Sequence, residues 1–130
     1  MKCIAVAAFL AVSSLTPADA EELTGKSYAA CMGKAGGATF AMQDCIGAEL
    51  ALQDKRLNTA YSALMTSKSL IEKRKAQLRD VQRKWIVFRD ANCAFYADPA
   101  GGQSARLAAN ECVLTQTAQR AAELEGLTQE

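Results

Sequence analysis

The 130-residue chain has no histidine, two prolines and one tryptophan, and aromatic residues make up only 6% of it. Without imidazole it lacks the commonest general base, so serine–histidine and cysteine–histidine nucleophile pairs are excluded. The usual histidine-rich metal sites go with them, and no C-x-x-C spacing is present to hold zinc through thiolates. A glycine-rich phosphate loop of recognised spacing is missing too. Nor is there an excess of charge of one sign: fifteen Lys and Arg against fourteen Asp and Glu leave +1, so the overall balance points to no partner. No cofactor is implied.

Long hydrophobic runs are also scarce. The one that stands out, from Ile4 to Val12, follows Lys2 and precedes Ala18-Asp19-Ala20. This order predicts a secretory signal peptide over residues 1–20, cleaved after Ala20, and a periplasmic or extracellular mature domain over residues 21–130. A membrane span needs about 20 apolar residues, and Ser13, Ser14 and Pro17 end this run well short of that. Export also argues against nucleic acid as a partner. Cys3 leaves with the leader, so four cysteines remain: Cys31, Cys45, Cys93 and Cys112. An even number in an oxidising compartment predicts two disulfides. Of the three possible connectivities, spacing favours one. The midpoint of Cys31 and Cys45 falls beside Gly36-Gly37, and that of Cys93 and Cys112 beside Gly101-Gly102. Helices entering and leaving those turns bring residues at matching distances together, which predicts Cys31–Cys45 and Cys93–Cys112. Each closes a short loop and contributes about 3 kcal/mol on the chain-entropy estimate.

Apolar spacing predicts four helices and no strand. The first runs from Thr24 to Ala35, with Tyr28, Cys31, Met32 and Ala35 on one face. The second is capped by Thr39 and reaches about Met65; Met42, Ile46, Leu50, Leu57, Tyr61 and Leu64 form its stripe, interrupted by Gln53. A short Thr66-Ser67-Lys68 connector sets the third antiparallel beside it. This third helix, Leu70 to Tyr96, has Ser69 and Glu72 as a capping box and a stripe of Leu70, Ile71, Leu78, Val81, Trp85, Phe88 and Phe95. At about 1.5 Å per residue it is a rod of roughly 42 Å, along which the rest is expected to pack. Asp98-Pro99 and Gly101-Gly102 end it. A fourth helix runs from Ser104 to Gly126 with a small, alanine-rich inner face. The fold class is all-α: a small antiparallel helical hairpin or bundle stapled by two disulfides.

Acid–base chemistry would need a carboxylate pair, and Glu49, Asp54, Asp80, Asp90 and Glu111 are the residues available. Asp90 adjoins Arg89, Asp54 adjoins Lys55 and Asp80 sits among basic residues, so solvated or ion-paired roles fit them better than catalysis. An enzyme is not expected. From Glu72 to Lys84 positive residues outnumber negative ones by four, and Lys75, Arg79 and Arg83 follow at four-residue intervals on one face. The plain reading is a solvated helix face. The functional reading is an envelope-binding module that uses this face for an anionic partner such as a lipid head group or acidic polymer.

Cys31-Met32, Cys45, Glu49-Leu50, Leu57-Asn58, Tyr61, Leu64, Gln82, Trp85, Phe88-Arg89-Asp90, Cys93, Gly101-Gly102, Cys112, Thr117, Arg120 and Leu124, in this order, resemble the LprI-type family of small exported bacterial proteins. The resemblance covers nearly all of the mature chain. It implies a disulfide-linked helical domain outside the cytoplasm and, from the family's namesake, inhibition of lysozyme or another peptidoglycan hydrolase. A rigid domain could do this by placing a loop in the hydrolase cleft, and the expected loop is Asp98, Pro99, Gly101, Gly102, Gln103 and Ser104, braced by Cys93–Cys112. Many lysozymes are strongly basic, so the Lys73–Lys84 face would have to point away. The motif residues Asn58, Tyr61, Gln82, Trp85, Arg89, Asp90 and Arg120 are expected to be structural. Gln82 would bond across the hairpin, and the two arginines would hold carboxylates or helix-end carbonyls.

Overall fold

The computed structural model describes residues 23–129, so the predicted leader and its cleavage point lie outside the described residues. Within them the chain forms α1 (Lys26–Ala35), α2 (Thr39–Thr66), α3 (Glu72–Ala94), a 3-10 turn (Pro99–Gly101) and α4 (Gly102–Leu127), with no strand. None of the described helices is long and apolar enough to cross a membrane. Both expected disulfides are formed, with Cα–Cα distances of 5.8 Å for Cys31–Cys45 and 5.4 Å for Cys93–Cys112. The first ties α1 to α2 across a turn that opens on Gly36 in the left-handed conformation. The second ties the last turn of α3 to α4.

The core lies between α2 and α4. Leu57, Ala60 and Leu64 are buried against Ala121 and Leu124, and Tyr61, Leu70, Leu78 and Trp85 close over them. Alanine at 60, 118 and 121 lets the two helices approach closely, while each fully buried leucine contributes about 1.5–3 kcal/mol. Gln53, the polar break in the α2 stripe, is only 3% exposed, and its hydrogen bonds explain how it is tolerated there. Its amide donates to Glu49 Oε1 and to the Leu23 carbonyl, and its oxygen accepts from Arg56. Arg56 then forks onto Glu125 of α4 at 3.0 and 2.5 Å.

Helix directions follow from the pairings. Cys93 meets Cys112, Arg89 meets Thr117 and Gln82 meets Arg120, so α3 and α4 are antiparallel. Glu49 and Glu111 both act on Tyr28, whereas Arg56 meets Glu125, so α2 and α4 run the same way.

Three expectations about α3 are corrected. It is not the rod along which everything packs: α2 packs mainly on α4, and α3 leans on α4 from one side. Its only buried residues are Gln82 and Cys93. Leu78 and Trp85 reach the core, but Val81, Phe88 and Phe95 are 50%, 60% and 84% exposed. An apolar pattern at intervals of three and four covers two adjoining helix faces, and a bundle whose other two helices already satisfy each other takes only one. The capping box does not form either. Ser67 Oγ accepts from the Ser69 N–H and pairs with Ser69 Oγ at 2.6 Å, so the connector makes its own turn and Ile71 stands at the N-cap. Thr39, expected to cap α2, is its first helical residue, and Ala38 holds the N-cap position with no side-chain cap.

Replacing both Cys93 and Cys112 by alanine should lower unfolding stability by about 2–4 kcal/mol, read from urea unfolding as a lower midpoint together with a steeper slope, because the unfolded chain loses its cross-link and exposes more surface. An unchanged midpoint would show that α4 holds α3 without the staple. The Arg56 hydrogen bond keeps the Glu125 carboxyl below its ordinary value of 4.5, with desolvation opposing it. A depressed folded-state value adds stability that is present above the unfolded-state value and lost as pH falls through the folded one. Because the two side chains are 38% and 36% exposed, screening limits this contribution to about 1 kcal/mol or less. Glu125→Gln should therefore be less stable than wild type at neutral pH, with the gap closing on acidification below pH 4.5.

Candidate functional site

The predicted reversal is a built corner at the disulfide-braced end of α3. Asp98 accepts the Ala100 N–H at 2.9 Å, and Pro99 sits in the first turn of the 3-10 segment. The two glycines serve different needs. Gly102 has φ 58°, a conformation that L side chains rarely adopt, whereas a Cβ at Gly101 would stand 2.7 Å from that of Ala105. Asp98, Pro99, Gly101, Gly102, Gln103 and Ser104 are all exposed, so this corner faces solvent. Beside it Phe95 and Tyr96 stand edge to face with ring centres 5.9 Å apart. These two aromatics extend the corner, and sequence reasoning missed them because Phe95 was read as part of the α3 stripe. The available signal was their position, an aromatic pair just past Cys93 and just before Asp98-Pro99.

A second concavity lies between α2 and α3, with a volume of 370 Å³. It gathers residues that the sequence placed in separate groups. From α2 come Asn58 and Tyr61, with Asp54 and Leu57; from α3 come Gln82, Trp85 and Arg89 together with Arg79 and Arg83. The spacing of three and four residues on both helices turns one ridge of each toward the same space. Three of the five Arg89 donors are taken there. Its guanidinium holds Asp90 Oδ1 at 2.9 and 2.7 Å, donates to Thr117 Oγ1 at 3.2 Å and lies 5.0 Å from the Trp85 ring centre. Gln82, 6% exposed, accepts from Arg120 across α3 and α4 at 3.0 Å, and Arg120 also holds Glu123. Asn58 donates to Asp54 at 3.1 Å.

The expected basic face separates into two parts. The Lys75 side chain is 14% exposed and paired with Glu72, so it is not part of an open surface. Arg79 and Arg83 line the groove and form no ion pair among the described residues. A larger hollow of 550 Å³ has Glu49, Arg56 and Glu125 already joined to one another, directly or through Gln53, and Lys55 also lines it. Among the described residues no cluster of three or more His, Cys, Asp or Glu is placed to hold a metal ion.

These features define a class: a small helical domain, twice disulfide-linked, with a rigid exposed corner at one end and a polar groove along one side. Residues 31–124 match the family model described as Lysozyme inhibitor LprI, and the chain belongs to that family. No curated protein and no solved structure matches it.

Arg120→Met removes the donor to a buried amide oxygen and should destabilise by about 1–3 kcal/mol in urea unfolding. Adding Gln82→Met should recover part of that loss, since neither partner is then left unsatisfied. Simple additivity of the two substitutions would show that the bond carries no coupling.

Proposed function

We propose that this protein is exported and, without catalysing a reaction, inhibits a lysozyme or related peptidoglycan hydrolase. The corner Asp98–Ser104, together with Phe95 and Tyr96, forms the contact. Family membership over residues 31–124 carries the reading. The corner supports it physically: the Cys93–Cys112 bridge, the Asp98 turn and two conformationally required glycines hold it before binding, which reduces the entropy lost on association. Exposed aromatics with few rotatable bonds are the residue type that anchors interfaces. The basic stretch Lys73–Lys84 occupies the far part of α3, and the helix continues roughly 15 Å beyond Lys84, so a cationic hydrolase at the corner is not directly opposed by it. Residues 1–20 act as the secretory leader, and residues 21–130 form the working domain.

The oxidised protein should protect peptidoglycan-bearing cells from lysis by chicken-type lysozyme in a dose-dependent way, and protection should survive moderate salt because a packed corner is less screened than a charged face. Phe95→Ala should raise the half-inhibitory concentration by about 30-fold, the size of a 2 kcal/mol anchor. Val87→Ala, which trims another exposed apolar residue, on α3 and away from the corner, serves as the control. Equal losses in the two variants would remove the corner from the mechanism. No protection at either salt would exclude this lysozyme as the target.

A further inference from the structure

We infer that the groove between α2 and α3 is a binding site for a carboxylated sugar, separate from the inhibitory corner. The argument begins with Arg79 and Arg83. They lie one turn apart on α3, both line the groove, and neither holds a carboxylate among the described residues. Two guanidinium groups so placed repel each other unless an anion joins them, and a carboxylate is the group their forked donors fit best. Arg89 differs from them, because its charge is already met by Asp90, which takes two of its five donors while Thr117 takes a third.

The rest of the lining describes what the carboxylate is attached to. The opposite wall offers an acceptor, Asp54, held in place by Asn58, and the Tyr61 hydroxyl lies one further turn along α2. Leu57 and Trp85 give the groove an apolar floor, and both pack into the core, which keeps that floor fixed. A sugar ring presents C–H groups on its faces and hydroxyls around its rim that both donate and accept. An acceptor wall, an apolar floor and an anion-holding wall match a ring that also bears a carboxylate. The volume of 370 Å³ is at the small end of ligand pockets and suits one or two rings. A bare carboxylate would leave Asp54 and the floor unused, and a neutral sugar would leave Arg79 and Arg83 in excess over the single Asp54 carboxylate of the groove.

Trp85 is the only tryptophan in the chain and lines the groove, so its fluorescence reports occupancy without a label. The oxidised protein is titrated with N-acetylmuramic acid, with N-acetylglucosamine, which is the same ring without the lactyl carboxylate, and with N-acetylalanine, a single carboxylate without a ring. The expected result is saturation by N-acetylmuramic acid, with both controls weaker by about tenfold or more. Binding should weaken as salt is raised. Arg79→Gln combined with Arg83→Gln should weaken it by about tenfold or more at an unchanged urea midpoint, since both residues are exposed. Asp54→Asn should weaken the sugar acid relative to N-acetylalanine, because the ring loses an acceptor while the loss of a negative charge from the groove favours both anions alike. The assignment is overturned if N-acetylglucosamine binds as tightly as N-acetylmuramic acid, if N-acetylalanine does, if the double arginine variant binds normally, or if no ligand changes the signal. The titration contains no hydrolase, so its failure is distinct from a failure to inhibit lysis.

Discussion

The structure depends on how α3 is held. It is the most charged helix of the chain and buries only Gln82 and Cys93, so hydrophobic burial alone gives it little reason to stay docked. What fixes it is a line of specific attachments to α4: the Cys93–Cys112 bridge, then Arg89 to Thr117, then Arg120 to Gln82. These come from one face of α3, and their partners progress in the opposite order along α4. Register is therefore set by covalent and polar pairing, whereas between α2 and α4 it is set by alanine and leucine packing.

That division explains the shape. Because α2 and α4 fill each other's apolar stripes, α3 can approach from one side only, and it stands away from α2 along part of its length. The groove is the space left over. Its polar lining follows from this origin, since a surface that no helix covers must remain compatible with water. Asp54, Asn58, Arg79 and Arg83 are surface residues of two helices that topology has brought face to face.

Much of this was legible in the residues. Glycine pairs midway between cysteines gave both disulfides because a turn makes equidistant residues neighbours, and helix limits followed Gly36, the 66–71 connector and Pro99 within a few residues. The organising role assigned to α3 was wrong for an identifiable reason. Periodicity reports that a face is apolar but not whether anything covers it, and the seven-residue series Val81, Phe88, Phe95 lies on a face that nothing covers in the described structure. The groove was hidden for a related reason. Asn58 and Tyr61 read as family motif residues, Arg79 and Arg83 as a charged helix face, and only the angle between α2 and α3 shows that they share one space.

The dependence of α3 on a disulfide also links folding to place. In a compartment that keeps thiols reduced, the same chain would have neither staple, and α3 would retain only the core contacts of Leu78 and Trp85 and a few polar bonds to α4. On the export route proposed above, oxidation outside the cytoplasm would then lock the corner and steady the groove in the same event.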